Sequence, residues 1–222
     1  MCGRFSFAVE DALIWERFGV RVRTAIYKAR YHCAPTKQLA VVSSSNPGEL
    51  SFYRWGLIPF WAKDQSIGNR LINAKSETVT EKASFRNAFR NRRCLVPSDG
   101  FFEWRRGTVK TPYRIHMKNN EPFAMAGIWD KWTAADGEII YSFSILTTVP
   151  NALMQQIHER MPVILRREDE GKWLENTAEK ELQDLLKPYP AEEMEAYPIS
   201  TLVNSPKNDR PEIFIPASAN IL

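Results

Sequence analysis

What this chain lacks narrows what it can be. Its 222 residues contain no run of about 18 apolar residues, which argues against a helical membrane span. The amino terminus lacks the charged-then-apolar pattern of a secretory signal. Cysteine is scarce. Cys2, Cys33 and Cys94 are an odd number without paired spacing, which argues for a reducing, cytoplasmic setting. No CxxC or HxxxH pairing accompanies the adjacent His32 and Cys33, so neither a metal nor a cofactor is expected. No internal repeat, low-complexity tract or clear linker interrupts the chain, and one domain over residues 1–222 is the expectation. No long amphipathic or apolar surface stretch stands out, so we expect a monomer. The net charge of +4 is too mild to argue for nucleic acid by itself.

The remainder describes a globular protein. A hydrophobic share of 44% and a charged share of 25% are ordinary for a soluble fold. Seven Trp and twelve Phe supply a core and leave aromatics over for a binding face. The charge is unevenly placed. Arg86, Arg90, Arg92 and Arg93 crowd one stretch, Arg105 and Arg106 follow, and residues 168–195 are acidic. This distribution predicts one positive face.

Periodicity predicts mostly short elements. Val9, Leu13, Ile14 and Phe18 form the stripe of a first helix. Leu39 to Ser43 and Leu50 to Trp55 read as a hairpin around Asn46-Pro47-Gly48. Ser84 to Arg93 reads as a basic helix with Phe85, Ala88 and Phe89 inward. Strands are expected at Cys94–Pro97, Tyr113–Met117, Phe123–Trp129 and Ile139–Thr147, with an Asp136-Gly137 turn before the last. Pro150 to Ile157 reads as a short helix, and residues 167–187 as two acidic ones.

Four residue types carry chemistry. If Met1 is removed, Cys2 becomes a terminal residue with a thiol and a primary amine two bonds apart. The α-amine, with a pKa of roughly 7.7–8.0, is partly neutral at pH 7, and cationic neighbours would tune the thiol downward. Such a pair suits an aldehyde: the amine adds to give a Schiff base and the thiolate closes a thiazolidine ring. It suits acyl transfer equally. Asn73 supplies an amide; Asn73, Lys75 and Glu77 alternate and would share a face if extended. Glu103 lies among Phe101, Phe102 and Trp104, where desolvation raises a carboxyl pKa and makes a general acid. His158 follows a helix end and precedes Arg160 and Pro162, which suits a position facing a cleft. The stretch Trp55 to Trp61, held by Gly56 and Pro59, offers either a core-edge loop or a stacking platform for bases.

Taken together, Met1-Cys2-Gly3-Arg4-Phe5, Tyr31 to Pro35, Trp55-Gly56, Asn73-Ala74 with Glu77-Thr78, Phe102-Glu103-Trp104 and His158-Glu159-Arg160-Met161-Pro162 resemble the SOS response-associated peptidase (SRAP) family of abasic-site processing proteins. The resemblance implies an α+β fold, a single domain of twisted antiparallel sheets in a barrel-like core with flanking short helices. It implies a substrate, single-stranded DNA containing an abasic site, whose ring-opened sugar exposes an aldehyde. Cys2 would form the thiazolidine and shield the site from strand cleavage, with Asn73 positioning the amine, Glu103 shuttling protons and His158 acting at the sugar oxygen and assisting reversal. Gly3, Arg4, Pro35, Lys75, Thr147 and Arg160 match DNA-holding positions, and Trp61 would be a wedge between bases. Arg86 and Arg90 of the basic helix are the candidate phosphate contacts read from the residues themselves. The family name implies peptidase activity, namely removal of Met1. In a bacterial-type cell the protein would be nucleoid-associated when on DNA. Two departures stand out: His32-Cys33 replaces the commoner Asn-Val, and Lys75 replaces Arg, which costs a bidentate phosphate contact.

Two other readings stay open at this point. An amino-terminal-nucleophile amidotransferase would also use Cys2, but no Asn-Gly dipeptide is present where its oxyanion hole is often built. A non-catalytic single-strand binding module would rest only on the arginines and aromatics, and would show strong salt dependence.

Overall fold

Alternating apolar and polar stretches become strands throughout the middle of the chain. The structure, a computed structural model, describes residues 2–22, 26–175 and 177–217. In chain order the elements are β1 (Arg4–Phe7), α1 (Asp11–Phe18), β2 (Arg30–Cys33), β3 (Gln38–Ser43), β4 (Asn46–Trp55), β5 (Asn73–Lys75), α2 (Arg86–Asn91) and β6 (Arg93–Ser98). Then follow β7 (Gly100–Arg105), β8 (Thr111–Met117), β9 (Phe123–Thr133), β10 (Ile139–Thr148), β11 (Met161–Pro162), β12 (Ile164–Leu165), α3 (Arg167–Leu174), α4 (Glu179–Asp184) and β13 (Met194–Pro198). The fold is α+β, as expected.

Strands β10, β4, β3, β6 and β9 pair in that order, and β9 pairs back with β10, closing a five-stranded barrel. The β10–β4 contact is parallel and the other four are antiparallel. Trp55 stacks on Phe143 inside this ring and meets Phe5 edge to face at 5.2 Å between centroids. Each such fully buried side chain contributes roughly 1.5–3 kcal/mol. One position of the wall admits no side chain. Gly127 lies opposite Cys94, and a Cβ there would come 2.7 Å from the Cys94 sulfur. A second sheet, in the order β13-β8-β7-β1-β2, places β1 between β7 and β2. Short β5 joins β10 in parallel, with Asn73 opposite Ile145 and Lys75 opposite Thr147.

Several local expectations are corrected. The β3–β4 turn lies at Ser44-Ser45, and Asn46 to Gly48 belong to β4. Hydrogen bonds from Ser44 N to Arg93 O and between the Ser43 and Ser45 hydroxyls satisfy that tighter turn. In α1 only Ile14 is buried, while Leu13 is 42% exposed. Two turns are too short to bury a wider stripe, and Arg17 does the docking instead, through two contacts to Glu170 and one to Pro122 O. Pro150 to Ile157 forms only a single 3-10 turn at Met154–Gln156, begun by Asn151 Oδ1 accepting from Met154 N.

Three of the six arginines of the expected positive face, Arg90, Arg92 and Arg93, are engaged within the fold. Arg93 is buried and donates to the carbonyls of Phe89, Arg90, Trp173 and Glu175. Arg90 pairs with Glu179 at 2.5 Å, and Arg92 with Asp130 at 3.1 Å. The acidic segment therefore packs against the basic one, since α2 and α3 both rest on β6.

Candidate active site and nucleic-acid interface

The site begins with where β1 lies. Arg4 pairs with Phe102 and Phe5 with Phe101 on one side, and Phe5 pairs with Cys33 on the other. Cys2, two residues ahead, is thereby drawn into the interior and is fully buried. Its sulfur lies 3.9 Å from the Arg4 carbonyl oxygen. Burial, and then the nearby negative charge of Glu103, push the thiol pKa far up. The expected downward tuning by cations is thus corrected: the thiol is held neutral.

Asn73 reaches Cys2 from β5. Its Nδ2 donates to the Cys2 carbonyl oxygen at 2.8 Å, while its buried Oδ1 has no hydrogen-bond partner among the described residues. Glu103, on β7, is 3% exposed. Burial pushes its pKa up, against the pull of nearby His158. His158 is half-buried, and its Nδ1 accepts from the Arg160 backbone N–H at 3.0 Å. Cys2, Asn73, Glu103 and His158 therefore meet at one place, although they come from four separate stretches of chain.

The arrangement can do specific chemistry. A buried neutral thiol is a poor first nucleophile but keeps its proton until a partner takes it. A carboxyl whose pKa burial has raised holds its proton more readily than an ordinary one and is suited to act as a general acid. An amide oxygen without a donor is available to an N–H at Cys2.

With this geometry in view, the likeness to known proteins is informative. The family model described as SOS response associated peptidase (SRAP) matches residues 1–206. The chain belongs to the SRAP family. The abasic site processing protein YoqW of Bacillus subtilis (strain 168) is 46% identical to this SRAP chain over 220 residues, covering 96% of this chain and 98% of its own. The abasic site processing protein HMCES of Xenopus tropicalis is 32% identical over 220 residues, covering 84% of this chain and 65% of its own. A crystal structure of a protein from Bacteroides thetaiotaomicron superposes with a TM-score of 0.90 at 36% identity, over 98% of this chain and 100% of that one.

Six of the nine candidate DNA contacts of the SRAP chain, Gly3, Arg4, Pro35, Trp61, Arg86 and Arg90, line two grooves, and Lys75, Thr147 and Arg160 line neither. An open groove of about 610 Å³ is lined by Gly3, Arg4, Pro35, Ile72, Trp104, Lys110 and Asn204. A second, of about 600 Å³, is lined by Phe60, Trp61, Ala83, Arg86, Asn87 and Arg90. The aromatic loop over it is pinned: Gly56 N bonds Phe143 O, Ile58 N bonds Ser142 Oγ, Phe60 N bonds Asp130 Oδ2, and Trp132 Nε1 bonds Ala62 O. Gly56 has φ +119°, and a Cβ there would meet the Gly68 carbonyl oxygen at 2.5 Å. Phe60 and Trp61 remain 55% and 47% exposed on this fixed backbone.

Thr147 and Arg160 are placed differently. Thr147 is fully buried, and its carbonyl accepts from Arg160 Nη2 at 2.6 Å. Arg160 also makes a two-pronged pair with Glu77, at 2.6 and 2.9 Å. Thr147 thus stands behind Arg160, and Glu77 holds it. Lys75 is exposed on β5, whereas Glu77 sits on the 3-10 turn at Ser76–Thr78, so the shared extended face ends at Lys75. Glu77 as a holder of Arg160, and Asn204, which accepts from Trp104 Nε1 at 2.8 Å, are contacts that no local sequence signal announces.

Proposed function

We propose that this SRAP chain captures abasic sites in single-stranded DNA as a covalent thiazolidine on Cys2. Met1 lies outside the described residues, and its removal is the first requirement, because an acylated Cys2 nitrogen cannot add to a carbonyl. That removal is either the chain's own peptidase activity, as the family name implies, or the work of an aminopeptidase. The observation that carries the reading is the seating of Cys2 between the Asn73 amide and the buried Glu103 carboxyl. The names of the curated relatives, abasic site processing proteins, support an abasic site as what is processed.

The sequence of steps follows from the protonation states. The neutral Cys2 amine adds to C1′ of the ring-opened sugar, and the carbinolamine loses water to an imine, with Glu103 donating and then recovering the proton. The thiol, kept neutral by burial, adds to the imine carbon last. Glu103 gives its proton to the former amine nitrogen, and the carboxylate so formed takes the proton of the thiol. The net change is one C–N and one C–S bond formed and one water released. The Asn73 oxygen holds an N–H of the amine as it adds and again in the closed ring, and His158 exchanges a proton with the sugar hydroxyl as the ring opens or recloses. Exclusion of water around Cys2 preserves the ring, and an intact thiazolidine cannot undergo β-elimination at the phosphate.

The test begins with a protein whose intact mass shows that it starts at Cys2. It is mixed with single-stranded DNA carrying one abasic site, denatured and weighed. The expected product is heavier by the DNA minus one water, with the strand uncut, and is absent for Cys2→Ala. The variant should still bind DNA non-covalently. No conjugate from a correctly processed protein would overturn the reading, and glutaminase activity would then be assayed.

A further inference from the structure

His32, on β2, is buried against Arg4. Arg4 Nη1 lies 2.8 Å from His32 Nε2, and the same nitrogen donates to Val203 O at 3.3 Å. On the far side of the ring, His32 Nδ1 lies 3.1 Å from the carbonyl oxygen of Asn208. A carbonyl only accepts, so Nδ1 carries the proton and Nε2 offers its lone pair to Arg4. Burial, helped by the charge of Arg4, pushes the His32 pKa down and keeps the ring neutral. The ring is held edge-on to Phe102 at 5.9 Å, and the backbone N–H groups of Tyr31 and His32 both donate to Asp209 Oδ1. Asn208 and Asp209 lie beyond residues 1–206, the part that the family model matches.

The consequence lies in which hydrogens of Arg4 are used. Nη1 has two, and His32 and Val203 take both. Among the described residues, Nε and Nη2 have no acceptor. Together they form the side-on edge of the guanidinium, whose parallel N–H groups match two oxygens of one phosphate. Arg4 lines the groove that adjoins Cys2. A free arginine there would sample many rotamers, and ordering it on binding would cost about 0.5–1.5 kcal/mol.

We propose that His32 is a positioning residue for the DNA strand: by accepting from Nη1 it fixes the Arg4 guanidinium so that its Nε–Nη2 edge receives a backbone phosphate beside the abasic site. This rests on the DNA reading above. The residues after 206 take part, since they set the tautomer of His32 and supply its outer contact.

The experiment measures crosslinking rate against DNA concentration for wild type, His32→Phe, Arg4→Ala and the double variant, each with its melting temperature. Phenylalanine keeps the ring and its contact with Phe102 but accepts nothing. The half-saturating concentration should rise about three- to tenfold in His32→Phe, with the loss lying there and not in the rate at saturation. The same substitution in the Arg4→Ala background should add nothing, because the effect runs through Arg4. His32→Gln, which can again offer an oxygen to Nη1, should recover part of the loss. An unchanged half-saturating concentration, or an equal loss with and without Arg4, would overturn the assignment. If His32→Phe does not fold, nitrogen NMR of the wild-type ring decides, and a charged or Nε2–H ring in the complex with DNA refutes the proposal. Failure of wild type to crosslink at all would instead refute the function on which it rests.

Discussion

Glu103→Gln should slow the protein and stabilise it at once. The side chain is 3% exposed on β7, so a glutamine of equal size replaces it without a cavity. The amide can neither give nor take the proton needed at the imine and thiol steps. Loss of a placed general acid–base group costs about 10²–10⁴ in rate. Stability moves the other way. Burial raises the Glu103 pKa above its ordinary value, so the folded state binds this proton more tightly than the unfolded state. Between the ordinary carboxyl range and the raised folded value, stability therefore falls as pH rises. Glutamine carries no such term. At pH 7–8 the variant should be more stable by on the order of 1 kcal/mol, or about 2–4 °C in melting temperature, and the difference should close below about pH 4. Single-turnover crosslinking and thermal melts across pH 4–8 measure both. An unchanged rate would remove Glu103 from the proton path. A variant less stable than wild type at pH 8 would show that the carboxylate is a net structural asset, and the argument from burial would be wrong.

Other outcomes follow from single contacts. Arg17→Ala leaves the Glu170 carboxylate buried without its partner and should cost about 3–5 kcal/mol, read as a lowered denaturant midpoint; a loss under 1 kcal/mol would mean that the pair is not holding α1 to α3. Trp61→Ala should weaken binding of an unreactive abasic-site analogue by about 1–3 kcal/mol with no change in melting temperature, and equal affinity would assign that loop to scaffolding. His158→Ala should slow both ring closure and release of DNA from the isolated conjugate, whereas wild-type rates in both directions would make His158 structural.

Much of the site was legible because its members carry local signals. Glu103 stands out as one carboxylate in an aromatic stretch, and a strand that buries its neighbours buries it too. Strands β8, β9 and β10 are legible as short runs rich in apolar and aromatic residues. What escaped was set by contacts distant in sequence. Arg160 meets Glu77 only because β5 runs alongside β10, and nothing near either residue announces it. The arginines of α2 read as a positive face, but α3 and α4 return a long way downstream to meet them. The thiol of Cys2 was expected to be acidified because its burial depends on which strands flank β1. The hairpin turn was misplaced because a Ser-Ser pair with a nearby carbonyl outcompetes a stronger turn signal two residues on.

The place of β1 inside its sheet, between β7 and β2, has a practical meaning. Chain ends are usually among the most mobile parts of a protein, yet here the second residue is immobilised in the interior before any substrate arrives. Folding itself bears the entropic cost of holding the reactive end. The same arrangement limits engineering. On the function proposed above, a tag or fusion partner joined ahead of Cys2 would block the amine, and a circular permutation would place the nucleophile inside a continuous chain.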